Sequence, residues 1–287
     1  MKTTIKRKIA IILALIMTLS MTITGTAFAA DGDAYLALGA DLSADEKATV
    51  LDLLGVADTN DYNVIYVTNS DEHQYLDKYV SSDQIGSKAL SSVLIRENGG
   101  TEIHVETHNI GYCTEDMYRN ALATAGLSGA DVIVAGPFNI SGTAALVGTI
   151  KAYEKMTGEE VDDEVIEASV DEITTTGEVG EEIGDTNAAE QIIAEVKEEL
   201  ADNPNMSDSE LEQTIRDAAE DAGIELSDST LQKIKNMLQN LQGLDIDWGN
   251  IKQQSSSIIE DLKQVVDPEK AEGLLNRLIA WFRSLIN

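Results

Sequence analysis

The period of the apolar residues changes once along this chain, and that change limits the fold more than any other feature. Between residues 34 and 156 short β-type runs alternate with helical runs; beyond Gly158 only the helical period recurs. Such a sequence predicts a mixed α/β region followed by a purely helical one.

The first region resolves into punctuated elements. Residues 34–38 read as a short strand, and Ser43-Ala44-Asp45-Glu46 is a capping box opening a helix whose apolar face carries Ala48, Leu51 and Leu54, with Gly55 as its stop. Val64, Ile65 and Val67 mark a buried strand over 63–68, followed by a helix over 71–80 and a strand over 92–97. Asn98-Gly99-Gly100 predicts a tight hairpin turn into 102–109. There Ile103, Val105 and Thr107 alternate with Glu102, His104, Glu106 and His108, so one face of that strand should be wet. Thr114 should cap a helix to Ala125, ended by Gly126, before a fully apolar strand over 131–135 and a helix capped by Ser141 and running to about Met156.

From residue 63 the order is β-α-β-β-α-β-α. Strand, helix, hairpin, helix, strand predicts an α+β fold, a ferredoxin-like or split βαβ sandwich with helices on one face of a mainly antiparallel sheet. Residues 36–67 and 105–134 also repeat one pattern of strand, Ser or Thr cap, helix, Gly and strand, which two related βαβ halves would explain.

Composition shifts at Gly158. Residues 158–186 hold 12 acids and no Lys or Arg. The first part, 159–173, reads as a helix on Val161, Val165, Ile166 and Ile173; the second, 174–185, with Gly177, Gly180 and Gly184, reads as a linker. A small α-helical domain of five helices follows. Asn187 with Glu190 and Ser207 with Glu210 form capping boxes, Ser227 is a cap, and Asp267 precedes Pro268 at a first helical position. The expected division is 1–29 signal peptide, 30–157 α/β domain, 158–186 acidic helix and linker, and 187–287 α-helical domain.

The amino-terminal assignment rests on Lys2, Lys6, Arg7 and Lys8, an apolar core over 9–19, and the small-x-small pattern Ala27-Phe28-Ala29. An uncleaved anchor would also need about 20 apolar residues, and Thr18, Ser20, Thr22, Thr24 and Thr26 make the second half too polar for that. Cleavage after Ala29 takes away four of the 20 basic residues and none of the 51 acidic ones, leaving a net charge of −35. That excess disfavours nucleic acid and anionic lipid as partners. No span is expected after cleavage, Cys113 is the only cysteine, so no intramolecular disulfide forms, and no cysteine follows the apolar core to take a lipid anchor.

Three stretches carry a family likeness: Ile85-Gly86-Ser87-Lys88-Ala89-Leu90-Ser91-Ser92, Met117-Tyr118-Arg119-Asn120-Ala121-Leu122-Ala123-Thr124-Ala125-Gly126, and Pro137-Phe138-Asn139-Ile140-Ser141-Gly142-Thr143-Ala144-Ala145-Leu146 with Lys151-Ala152-Tyr153-Glu154. Over roughly residues 34–200 the chain resembles the YpuA-like family of predicted secreted proteins of Gram-positive bacteria, domain of unknown function 1002. The resemblance implies export and an envelope location, and it brings no established activity or catalytic residues.

The residues themselves suggest few sites. Asn139, Ser141, Gly142 and Thr143 stand where an apolar strand enters a helix, and free N–H groups there can hold an anion or carboxylate; a Ser cap over small packing residues needs no ligand. Ser141 is no nucleophile elbow, because Asn139 and Thr143 replace the required glycines. His104 and His108 lie four apart on one strand, about 13 Å, too far to share one ion; Glu102, His104 and Glu106 form a polar face that would need other ligands to hold a metal. The acids of 159–185 lack a calcium-loop pattern and suggest at most weak divalent cation binding. Cys113 precedes a helix N-terminus, which lowers a thiol pKa, unless it is buried and inert. The 268–287 segment carries a net +1 and an apolar face including Trp281 and Phe282 beside Arg283, suited to closing its own bundle, docking on a partner, or lying on a membrane.

The expectation is a secreted, envelope-associated protein that binds an envelope protein or wall component without catalysis and without a cofactor. The alternative is a hydrolase or transferase acting on wall or peptide substrates at residues 139–143.

Overall fold

The structure, a computed structural model, describes residues 34–79 and 85–266. Five strands, β1 (Tyr35–Gly39), β2 (Asn63–Val67), β3 (Ser92–Glu97), β4 (Ile103–Ile110) and β5 (Ala130–Ile140), form one mixed sheet in the order β2-β1-β3-β5-β4. β1 with β2 and β4 with β5 are parallel, and β3 is antiparallel to both β1 and β5. The α+β class and the helical region that follows are as the sequence predicts.

The predicted hairpin between β3 and β4 does not form, because β5 lies between them. β5 supplies Val132 and Val134 to one face and Ala135 to the other, all buried. A strand apolar on both faces suits the interior of a sheet, whereas β4, with exposed His104 and Glu106, suits an edge. The edge is covered locally: Gln254 Oε1 accepts from the Ile103 N–H at 3.0 Å and Glu115 Oε1 from the Thr107 N–H at 3.1 Å.

Helix α1 (Ala44–Leu53) joins β1 to β2, and α3 (Glu115–Thr124) joins β4 to β5. These are the two βαβ halves. Both step the same way across the sheet, yet α1 covers Leu36, Leu38, Leu94 and Ala135 on one face while α3 packs Met117, Ala121 and Leu122 on the other. Their crossovers therefore have opposite hands, although about 98% of such units are right-handed. The halves are alike in order of elements, not in handedness.

On the α3 face lie α2 (Asn69–Leu76) and α4 (Thr143–Thr157), the latter supplying Leu146, Val147 and Ile150 to the core. Helix α5 runs from Asp163 to Ile183 without a break. It thus replaces the predicted linker over 174–185. Two of the glycines that suggested flexibility are packing positions: a Cβ on Gly177 would stand 2.2 Å from the Tyr112 hydroxyl, and one on Gly180 2.9 Å from the Thr186 Cα. Only Gly184, at φ 77°, ends the helix.

Helices α6 (Thr186–Asp202), α7 (Asp208–Asp221), α8 (Asp228–Gln242) and α9 (Trp248–Val266) complete the described residues. The boxes of Ser43 and Ser207 and the caps of Thr114 and Ser227 form as predicted. Helix α6 differs, with Asp185 capping the Ala188 N–H, so Asn187 and Glu190 are not its capping box. Ile192, Ile193, Val196, Leu211, Ile215, Ile234, Leu238 and Leu241 form the core of the helical region. Ile166, Val170, Ile173 and Ile251 instead join the core beneath the sheet.

One buried polar knot fastens α3, α5 and α6. Lys197 Nζ donates to Glu172 Oε1 at 2.6 Å, to Thr124 Oγ1 at 2.9 Å and to the Asn120 carbonyl at 2.9 Å, while Thr124 Oγ1 donates to Glu172 Oε2 at 2.6 Å. Both charged side chains have no exposed surface. The signal peptide, the last predicted helix and the residues Trp281, Phe282 and Arg283 lie outside the described residues.

Candidate functional site

Because β3 alone runs against the other four strands, the carboxyl ends of β1, β2, β4 and β5 share one edge of the sheet with the start of β3. Open α/β sheets bind ligands outside such carboxyl ends, where strand direction or order switches. Of the family-like stretches, residues 85–92 and 137–146 both lie at this edge.

At the β4 and β5 end stand the residues singled out from the sequence. Asn139, Ser141, Gly142 and Thr143 are brought together as one turn. The Gly111 N–H donates to the Ile140 carbonyl at 2.8 Å and the Cys113 N–H to the Ser141 carbonyl at 3.1 Å. The Tyr118 hydroxyl donates to the Gly142 carbonyl. Helix α4 is capped by Gly142, at φ 92°, with no side-chain cap, so Ser141 is not the N-cap. Glycine is required there on two counts. The conformation is left-handed, and a Cβ would stand 2.6 Å from Ile110 Cγ2 and 2.7 Å from the Tyr118 hydroxyl. Asn139 packs over Gly111, where a Cβ would meet its Oδ1 at 2.6 Å. Beside it Phe138 is 51% exposed.

Of the histidines, one lies on α2 and two on β4. His73 Nδ1 pairs with Asp77 at 2.6 Å, and His108 Nε2 lies 3.1 Å from Glu106 Oε1 on the wet face of β4, which His104 shares. Among the described residues no three His, Cys, Asp or Glu side chains come together as metal ligands. Cys113 is buried, and desolvation pushes its thiol far above the ordinary range, outweighing the opposing Tyr118 hydrogen bond. The acids of 159–163 line a surface groove of about 450 Å³ with Glu154 and Lys155.

The β1 and β2 end holds charged groups that sequence reasoning did not single out. Thr68 and Asp71 form a reciprocal cap at the start of α2, and Lys151 on α4 pairs with the same Asp71. The Thr-x-x-Asp spacing was a readable signal for this cap. Glu72, 1% exposed, accepts from Asn69 Nδ2 at 3.0 Å. Burial chiefly, with the charges of Asp41 and Asp71, raises its carboxyl to about 7 against the opposing pull of Asn69 and His73. Asp41 Oδ2 accepts from the Ala89 N–H at 2.9 Å.

A third buried carboxyl sits where α6 meets the start of α3. Glu190, 1% exposed, accepts a hydrogen bond from the Thr114 hydroxyl. Burial first, then Asp116 and Asp185, raise it to about 7, with Thr114 opposing. Its sequence position suggested a capping box; the tertiary contact claimed the side chain instead.

Comparison with known proteins agrees with the family likeness. The model of the family described as "Protein of unknown function (DUF1002)" matches residues 38–258. The chain is 39% identical over 282 residues to the uncharacterized protein YpuA of Bacillus subtilis (strain 168), covering 97% of this chain and 96% of that one. No solved structure matches. With most of its length inside the family model and a relative that similar end to end, the chain belongs to the DUF1002 family of proteins of unknown function.

Proposed function

We propose that this is a secreted, envelope-associated protein that binds an envelope protein or wall component and has no catalytic role. One observation carries the reading: the backbone carbonyls at the 139–143 junction are spent on holding the turn. The carbonyls of Ile140, Ser141 and Gly142 accept from Gly111, Cys113 and Tyr118, and Asn139 is packed over Gly111. Of the histidines that would serve as a base there, His73 is paired with Asp77 and His108 with Glu106. The start of α4, which has no side-chain cap, beside the exposed Phe138, suits recognition of a carboxylate next to an apolar group. The signal-peptide pattern supports export, and the apolar sequence pattern of 268–287 suits a second contact with a partner or a membrane surface.

The test combines chemistry and location. The mature protein, from Ala30, is assayed against ester, peptide and glycan substrates, and crosslinked in intact cells with and without residues 268–287. Binding without turnover, and crosslinked partners outside the cytoplasm, are the expected results. Hydrolysis abolished by Ser141→Ala would establish the hydrolase alternative and overturn the reading.

A further inference from the structure

The crevice at the β1 and β3 switch point is filled by the chain itself. Residues 85–91 lie directly on the end of β1: a Cβ on Gly39 would stand 2.4 Å from the Ala89 carbonyl oxygen, so only glycine lets the loop come so close. Three ties hold it. Asp41 exchanges two hydrogen bonds with Ala89, its carboxylate accepting from the Ala89 N–H at 2.9 Å and its own N–H donating to the Ala89 carbonyl at 3.2 Å. Gly39 N–H donates to Ser92 Oγ at 3.1 Å. Asn69 Nδ2 bridges Glu72 Oε2, at 3.0 Å, and the Gly86 carbonyl, at 3.3 Å. The loop is thus strapped to a buried carboxyl through one amide.

The charges around that carboxyl are unbalanced. From the β1–α1 connection it faces Asp41; from α2 it faces Asp71 and His73; the neighbouring cation on α4, Lys151, is already paired with Asp71, and His73 with Asp77. Ser91, at the end of the loop, has a buried hydroxyl with no partner among the described residues. Closing the loop therefore leaves polar groups worse off than in water, and lifting it lets water reach them.

We propose that Glu72 is a proton-controlled latch: neutral, it lets residues 85–91 lie closed over the carboxyl end of β1 and the start of β3, and ionised, it drives them off to open that crevice. Ionisation places a third negative charge beside Asp41, the residue that anchors Ala89, and beside Asp71. Lifting the strap is the smallest movement that hydrates the new charge. The sign follows from linkage: the closed state holds the proton more tightly, since its carboxyl lies at about 7 against an ordinary 4.5, so the opening equilibrium grows as pH rises through that interval and levels off above it.

The test is amide hydrogen exchange of the full mature chain between pH 5 and 8, read at Ala89 as a protection factor so that the intrinsic pH dependence of exchange cancels. The wild type should lose protection by about tenfold per pH unit up to about pH 7, as one linked proton requires. Glu72→Gln should keep Ala89 protected across the range. Asn69→Ala, which removes the amide tie between Gly86 and Glu72 and leaves the core untouched, should make Ala89 less protected at every pH with a reduced pH dependence, and decides the matter should the Gln variant not fold. A wild-type profile without pH dependence, or the wild-type slope retained in either variant, overturns the proposal.

Discussion

Replacing Glu190 by Gln should make the protein more stable at pH 8 and leave its stability nearly unchanged at pH 4. Glu190 is 1% exposed and its carboxyl is raised from 4.5 to about 7, chiefly by burial and then by Asp116 and Asp185. The folded state therefore binds a proton that the unfolded chain releases over that interval. Stability from this group is whole below pH 4.5 and is lost as pH climbs through 7. At about 1.4 kcal/mol for each pH unit, ionised Glu190 costs the folded protein about 3 kcal/mol. Gln keeps an oxygen to accept from Thr114 and brings no charge to face Asp116 and Asp185.

The assay is urea unfolding followed by circular dichroism at pH 4, 5.5, 7 and 8. The quantity read is the difference between variant and wild type at each pH, which cancels the other titrating groups, Glu72 among them. That difference should grow by about 3 kcal/mol from pH 4 to pH 8. A difference that stays constant would mean that Glu190 titrates alike in the folded and unfolded chains, and would refute the assignment of a buried, neutral carboxyl.

Two further substitutions probe the packing. Lys197→Met should cost roughly 3–5 kcal/mol, since it strands Glu172 without its cation, whereas the double variant Lys197→Met with Glu172→Met should recover most of that loss; denaturant unfolding of the three proteins measures the cycle. Gly177→Ala should cost roughly 1–3 kcal/mol by driving a Cβ into the Tyr112 ring, and Tyr112→Ala in the same chain should relieve the clash, seen as a smaller penalty for Gly177→Ala in that background.

The sequence displayed local structure well and partnership poorly. Ser43, Thr114, Ser207 and Ser227 announce helix starts because each cap depends on three or four neighbouring residues. The pairing of β3 was not local. Asn98-Gly99-Gly100 is good turn chemistry, and it competed with a more apolar strand 30 residues on that could fill both faces of the sheet interior. Gly177 and Gly180 misled for the same reason: a glycine needed for close approach by Tyr112 or Thr186 looks, in sequence, like one needed for flexibility. At the 139–143 junction the reading located the turn correctly and mistook its cap. Ser141 is a common cap residue, but the left-handed backbone and the nearness of Ile110 and Tyr118 place Gly142 there. Glu72 was invisible because its burial is a tertiary property, and its link to the loop over 85–91 runs through Asn69, 17 residues before Gly86.

The placement of the cations leads to a prediction about salt. Almost every basic residue tied into an ion pair joins two elements. Lys151 joins α4 to α2, Lys197 joins α6 to α5, and Arg119 joins α3 to α9 through Asp261. Lys233 joins α8 to α5, and Lys252 joins α9 to α6. If these contacts dominated the electrostatics, screening would weaken the protein. Exposed pairs of this kind are worth at most about 1 kcal/mol each, however, and the fully buried Lys197 pair is out of reach of salt. The opposing term is the self-repulsion of a chain whose formal charge is −31 before any processing, and that acts between many groups held close in the folded state and farther apart in the unfolded one. Screening removes more repulsion than attraction. Raising sodium chloride from 10 mM to 0.5 M, which shortens the screening length from about 30 Å to a few ångströms, should therefore raise the urea midpoint at pH 8. A midpoint that falls over the same range would show that the inter-helix pairs, rather than net charge, set the electrostatic contribution to stability.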